Sequence, residues 1–198
     1  MLRQLERLRH LVRRPWFIRV VYGQRELWED ANGDPNVLAG QAFSKTEESV
    51  SVYEVRCPIE ELRAVAAVQL GRGSTPKSAV IAVRFSSSEL KVAGIRVVRS
   101  GGTTGVPSVD RMHRDLAGNG ASYGRLAEVV LERQRNGDDR VRRVGPNRLV
   151  HQFRRFLNNE GQAMSPRARK QCQDLVESAE GKGSASGSPQ SRSRGFLA

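Results

Sequence analysis

The sequence predicts an α+β fold: a small, mostly antiparallel sheet with a basic amphipathic N-terminal helix, a helical C-terminal half and a disordered C-terminal tail. Three observations carry this. Short β-branched runs concentrate between residues 16 and 99, apolar residues recur at helical spacing on both sides of that stretch, and from Gly181 onward core formers almost vanish. The division that follows is a helix over 1–15, a sheet core over 16–99, a basic helical region over 100–180 packed on or extending the core, and a tail over 181–198.

Residues 2–13 place Leu2, Leu5, Leu8 and Val12 on one stripe, widened by Leu11, and Pro15 limits the helix they form. Trp16 to Tyr22 is aromatic and β-branched, hence a strand. Residues 29–40, with Asn32-Gly33-Asp34-Pro35, read as a turn-rich loop. Ser49 to Val55 alternates strictly, the pattern of a half-buried strand. Pro58 opens a helix with Glu60 and Glu61 at its positive end. Ile59, Leu62, Val65, Ala66 and Leu70 give its buried face, and Gly71 its stop. Residues 79–85 are apolar nearly throughout, which predicts a strand covered on both faces. Leu90 to Val98 is expected as a further strand with a bulge at Gly94, joined to its predecessor as a hairpin through Ser86-Ser87-Ser88, with the helices on one side of the sheet.

Past residue 100, Gly101-Gly102-Thr103-Thr104-Gly105 reads as a flexible loop, and Ser108 as the cap of a short helix running to Leu116. Residues 122–135 predict a helix with Leu126, Val129 and Val130 on one face, broken at Asn136-Gly137-Asp138. Pro146 opens another through Leu149, Val150, Phe153 and Leu157. Ser165-Pro166 caps a last one reaching about Ala179.

Charge is the sharpest functional signal. Lys and Arg number 33 against 21 Asp and Glu, a net charge of +12. Residues 1–19 hold Arg3, Arg7, Arg9, Arg13, Arg14 and Arg19 against Glu6 alone. Residues 133–155 hold Arg133, Arg135, Arg140, Arg142, Arg143, Arg148, Arg154 and Arg155 against Asp138 and Asp139. Such clustering repels itself and points to a polyanionic partner, nucleic acid first. The expected contacts are Arg3, Arg7, Arg14, Arg140, Arg142, Arg143, Arg148, Arg154 and Arg155 on phosphates, with Phe156 free to stack on a base. No signature of a recognition module decides between RNA and DNA. An acidic protein, or a place in a larger assembly, is the alternative partner, in which case the chain is a scaffold subunit.

A small enzyme of nuclease or transferase type is the rival reading. Asp110-Arg111-Met112-His113-Arg114-Asp115 follows the Gly-rich loop, so His113 is a candidate general base with Asp110 and Asp115 as partners. If that segment is helical, Asp110 and His113 share a face. His113-Arg114-Asp115 shares its triplet with a kinase catalytic loop, but position 120 is Gly where Asn is needed. Gly71 to Ser78 imitates a phosphate-binding loop, but Pro76 replaces the required Gly.

His10, His113 and His151 are too dispersed for a metal spacing, and no cofactor motif is present, so neither metal nor cofactor is expected. Cys57 and Cys172 form no close pair and are expected as reduced thiols of a cytoplasmic protein. No apolar run reaches membrane-spanning length, and no membrane association is expected.

Overall fold

The structure, a computed structural model, describes residues 15–21, 34, 43, 49–73 and 79–184. The expected basic N-terminal helix, most of the expected 29–40 loop and the chain beyond Ser184 lie outside the described residues.

The protein is α+β, built on one six-stranded antiparallel sheet. Its strands are β1 (Trp16–Val21), β2 (Ser49–Val55), β3 (Val80–Ser86), β4 (Arg96–Arg99), β5 (His113–Ala117) and β6 (Val141–Val144), in the spatial order β4-β5-β2-β1-β3-β6. The helices among the described residues are α1 (Pro58–Gly71), α2 (Ser87–Val92), α3 (Pro107–Asp110), α4 (Gly120–Arg135), α5 (Pro146–Glu160) and α6 (Pro166–Ser184).

β1 is central because both of its faces are apolar. Phe17 sits opposite Glu54 and Phe85, and Ile18 opposite Tyr53 and Arg84. Phe17 and Val21 join Val50, Val52, Val83, Phe85 and Leu116 in a core covered by α2 and α4. Ile18 and Val20 join Tyr53, Val55, Val80 and Ala82 in a second core, covered by α1, α3, α5 and α6. Helices therefore flank both faces, not one. A central strand with large apolar residues on both sides, Phe17 and Val21 on one and Ile18 and Val20 on the other, leaves no face that water can cover cheaply.

The segment after β3 departs furthest from expectation. Ser86 to Ser88 make a helix start, not a hairpin turn. The Ser86 hydroxyl accepts the Glu89 N–H at 3.3 Å while the Glu89 carboxylate accepts the Ser86 N–H at 2.8 Å, a reciprocal capping box. α2 stops at Gly94, whose φ of 75° lets the Ile95 N–H reach back to the Leu90 carbonyl at 2.9 Å. β4 is thus only four residues long. It pairs with β5 at the far edge of the sheet, with Val98 opposite Asp115. Gly94 is a helix stop, not a strand bulge.

The expected helix from Ser108 to Leu116 is also split. Pro107 opens the single turn α3, and the chain re-enters the sheet as β5, between β2 and β4. The preceding glycine loop is fixed to the protein. The Asp110 carboxylate accepts the Thr104 N–H at 2.8 Å and its hydroxyl at 2.7 Å, and the Gly105 carbonyl accepts the Ser165 N–H at 3.0 Å.

Helix faces follow the predicted spacing with small rotations. In α1 the buried set is Glu61, Ala64, Val65, Ala66, Ala67, Gln69 and Leu70, whereas Ile59 is 60% exposed. Arg72 closes that helix. In α5 the buried set is Leu149, Gln152, Phe153 and Phe156, with Leu157 partly buried. Ser165 caps α6 by accepting the Ala168 N–H at 3.2 Å, and the helix runs five residues past Ala179, through the first residues expected in the tail. Arg63 holds the lower helices together, donating to Ser108 of α3 and Glu160 of α5. Both cysteines are free. Cys172 donates to the Phe153 carbonyl at 3.2 Å, and burial pushes its thiol pKa up to about 12. Among the described residues, no helix is long and apolar enough to cross a membrane.

Candidate nucleic-acid interface

β6 (Val-Arg-Arg-Val) spends its two valines on the cores and leaves its two arginines at the sheet edge. Val144 is buried opposite Val80, and Val141 packs opposite Val83. Arg142 and Arg143 between them pair with Ala82 and Ile81 through the backbone only, so their side chains are spared. Gly145 and Pro146 then turn the chain into α5. Because α5 buries Leu149, Phe153 and Phe156, its opposite face must be polar, and Arg148, His151 and Arg155 recur on it at i, i+3 and i+7, all exposed. The first turn of α5 holds Arg148 and no acid. A cation there opposes the positive end of the helix dipole, so the local field favours an anion from elsewhere.

The basic run of residues 133–155 divides into spent and unspent charge. Arg133 is buried and donates to Glu89, while Arg140 reaches Glu89 at 3.1 Å and Asp138 through its Nε at 2.8 Å. This group locks α2 and α4 to the loop before β6. Burial of Glu89 opposes its charge, but hydrogen bonds from the Ser86 N–H and hydroxyl and from Arg133 outweigh that and lower its pKa. The side-chain and backbone hydrogen bonds from Arg140 hold Asp138 well below the usual carboxylate range. Arg140, expected on phosphate, is instead a structural partner. Arg154 faces Glu180 at 2.8 Å, with both side chains about half exposed. Arg143, Arg148 and Arg155 have no ion-pair partner among the described residues, and Arg142 has only a 3.9 Å approach to Glu61.

Phe156 is 1% exposed and belongs to the core beneath the sheet, so it is not available to stack on a base. It lies three residues after Phe153, on the buried side of α5. Arg3, Arg7 and Arg14 lie outside the described residues.

Two open clefts meet beside this edge. One, of about 430 Å³, is walled by Pro58, Glu61, Leu62, Asp139, Val141, Arg142, Arg143, Val144 and Arg148. The other, of about 440 Å³, is walled by Trp16, Val55, Arg56, Cys57, Pro58, Glu61 and Arg84. Glu61, common to both, is 3% exposed. Its Oε2 accepts both the Nε of Arg84, at 2.8 Å, and a terminal guanidinium nitrogen. Its Oε1 has no hydrogen-bond partner among the described residues. In the sequence Glu61 reads only as a charge near the helix dipole. The signal was nevertheless present, since Glu61 stands three and four residues before Ala64 and Val65, on the buried face.

The enzyme candidates do not assemble as expected. His113 is on β5, not on a helix with Asp110. Its Nδ1 is 2.8 Å from the Ser100 hydroxyl and its ring meets Tyr53 edge-on at 5.4 Å. Asp110 is occupied by Thr104, and Asp115 sits between Ser51 and Val98 in the sheet register. Among the described residues no group of three His, Cys, Asp or Glu side chains is placed to hold a metal ion. Set against known protein families, curated proteins and solved structures, the chain gives no match.

Proposed function

We propose that this protein binds nucleic acid, with the phosphate backbone running along the edge of β6 and the exposed face of α5. The observation that carries this reading is the set of unspent guanidinium groups at one edge: Arg142 and Arg143 on β6, Arg148 and Arg155 on α5. Arg133, Arg140 and Arg154, close by in the sequence, are each paired with a carboxylate, whereas these four are held by no close ion pair among the described residues. Arginine suits this role because its planar fork gives a phosphate two parallel hydrogen bonds. Such contacts supply affinity and position without reading sequence.

Salt dependence tests the reading directly. Each phosphate contact adds about 0.7 to 0.9 to the slope of log affinity against log salt. Replacing Arg143, Arg148 and Arg155 by alanine removes three, so the fall in affinity between 50 and 200 mM salt should shrink by roughly 20- to 40-fold relative to wild type. An unchanged slope excludes this edge as the interface. Failure of any nucleic acid to bind, with retention of an acidic protein, favours the scaffold role.

A further inference from the structure

We propose that β4 is a docking edge for an acidic protein segment, which adds to the sheet as a further strand with the order acidic, apolar, apolar, acidic opposite Arg96, Val97, Val98 and Arg99. The site lies at the far end of the sheet from β6 and does not rest on the nucleic-acid reading.

The first observation concerns the backbone. Among the described residues β4 has one neighbouring strand, β5, in a register running from Arg96 opposite Ala117 to Arg99 opposite Arg114. A strand at the end of an antiparallel ladder turns every second pair of N–H and C=O groups outward. On β4 no other strand among the described residues takes those groups up.

The second is apolar surface. All four β4 side chains are exposed, and none belongs to either core. Val97 and Val98 are 37% and 44% exposed, and Val92 at the end of α2 is 83% exposed. Ile59 is the other large apolar side chain so exposed among the described residues. Side chains alternate along a strand, which puts Arg96 with Val98 on one face and Val97 with Arg99 on the other. Each face therefore offers one apolar side chain and one guanidinium.

The third is charge. Arg96 and Arg99 have no ion-pair partner among the described residues, and exposed Lys91 on α2 adds a further cation. On β5, Arg114 opposite Arg99 is held by Glu54 at 2.7 Å, and Asp115 opposite Val98 is the acid of that strand. With Arg96, Arg99 and Lys91 set against Asp115, the edge stays positive.

These features select the occupant together. A polyanion without a strand backbone would meet the guanidinium groups and leave the ladder and the valines unused. A strand with acidic residues opposite the two arginines and apolar ones between them engages all three. Opposite charges facing across strands stabilise the pair, and like charges destabilise it. Extended segments bind sheet edges in this manner, with main-chain hydrogen bonds for affinity and side chains for selection. The order acidic, apolar, apolar, acidic reads the same from either end, so it fits a parallel or an antiparallel partner alike.

The test uses the full chain and three capped peptides that differ only at their centre: Glu-Val-Val-Glu, its charge reversal Lys-Val-Val-Lys, and Glu-Val-Pro-Glu, which keeps the charge and removes a ladder N–H. Anisotropy of the labelled peptide and amide hydrogen exchange of residues 96–99 are read together. Glu-Val-Val-Glu should bind roughly tenfold or more tightly than either of the others and slow exchange at 96–99. In the double variant Arg96→Glu, Arg99→Glu the ranking of the two charged peptides should invert, and because both side chains are exposed the fold should be kept. The wild-type ranking decides the question even where that variant fails to fold. Equal binding of Glu-Val-Val-Glu and Glu-Val-Pro-Glu, binding without protection of 96–99, or no binding at all would overturn the proposal. So would protection of 96–99 by the oligonucleotide dT10 in place of peptide, which gives the edge to nucleic acid, or protection that grows with protein concentration alone, which gives it to a second copy. An unchanged salt slope on substitution at β6 and α5 bears on the nucleic-acid reading and leaves this edge untouched.

Discussion

Replacing Phe156 with alanine separates a core side chain from a ligand-stacking one. Phe156 is 1% exposed and lies among the residues joining α1, α5 and α6 beneath the sheet. Removing a buried phenyl ring from such a site costs about 3–5 kcal/mol, part lost transfer energy and part cavity. For a chain of this size 1 kcal/mol moves the melting temperature by about 2–4 °C, so Phe156→Ala should melt roughly 6–20 °C below wild type. A stacking role predicts the opposite: about 1–3 kcal/mol lost from binding and almost nothing from stability. Arg155→Ala is the natural control, because its neighbouring side chain is exposed and unpaired among the described residues. It should weaken oligonucleotide binding while leaving the melt within about 2 °C. Circular dichroism melts and anisotropy titrations on the same samples read both quantities. If Phe156→Ala melts like wild type and binds oligonucleotide roughly tenfold more weakly, the placement of α5 against the core is wrong.

Two further perturbations probe the loop and the ionic lock. At Gly105, φ is 74° and an added Cβ would meet Ser165 Oγ at 2.3 Å, so Gly105→Ala should cost about 1–3 kcal/mol in urea unfolding. Gly101→Ala, with nothing within 4 Å, should stay within about 0.5 kcal/mol, and equal effects at the two sites would contradict the anchored loop. Glu89 and Asp138 have folded pKa values below their ordinary 4.5 and 3.8, so the stability they contribute is present above those values and is lost as pH falls below them. The double variant Glu89→Gln, Asp138→Asn should therefore melt below wild type at neutral pH, with a gap that begins to narrow as pH falls below about 4.5 and goes on narrowing as pH falls through the lowered folded values. A gap that stays constant with pH would show that the two carboxylates act by packing alone.

The central strands were legible because their residue types leave little choice. The alternation of Ser49 to Val55 and the apolar run before Phe85 have no stable helical reading at that length. β5 was not legible, since His-Arg-Asp-Leu-Ala has one large apolar residue and is held as a strand by pairing to β2 on one side and β4 on the other. α2 was legible and missed. Ser86 followed three residues later by Glu89 is a capping-box spacing, but the valines beyond Gly94 invited a longer strand. The charge run told where the arginines are and not which are spent. That depends on Glu89 and Glu61, which the fold brings from distant elements. Glu61 itself was hidden by its charge, because a carboxylate at a helix start is usually solvated and this one is paired across to β3.

Both terminal strands of the sheet carry two arginines in four residues, Arg96 and Arg99 on β4 and Arg142 and Arg143 on β6. An open sheet edge is a template on which a second chain can continue the hydrogen-bond ladder. Here a like copy approaching edge to edge meets guanidinium against guanidinium, at either end of the sheet. This charge thus discourages the protein from polymerising through its own backbone. On the proposed reading, a polyanion laid along β6 would neutralise that guard and at the same time occupy the edge that the guard protects.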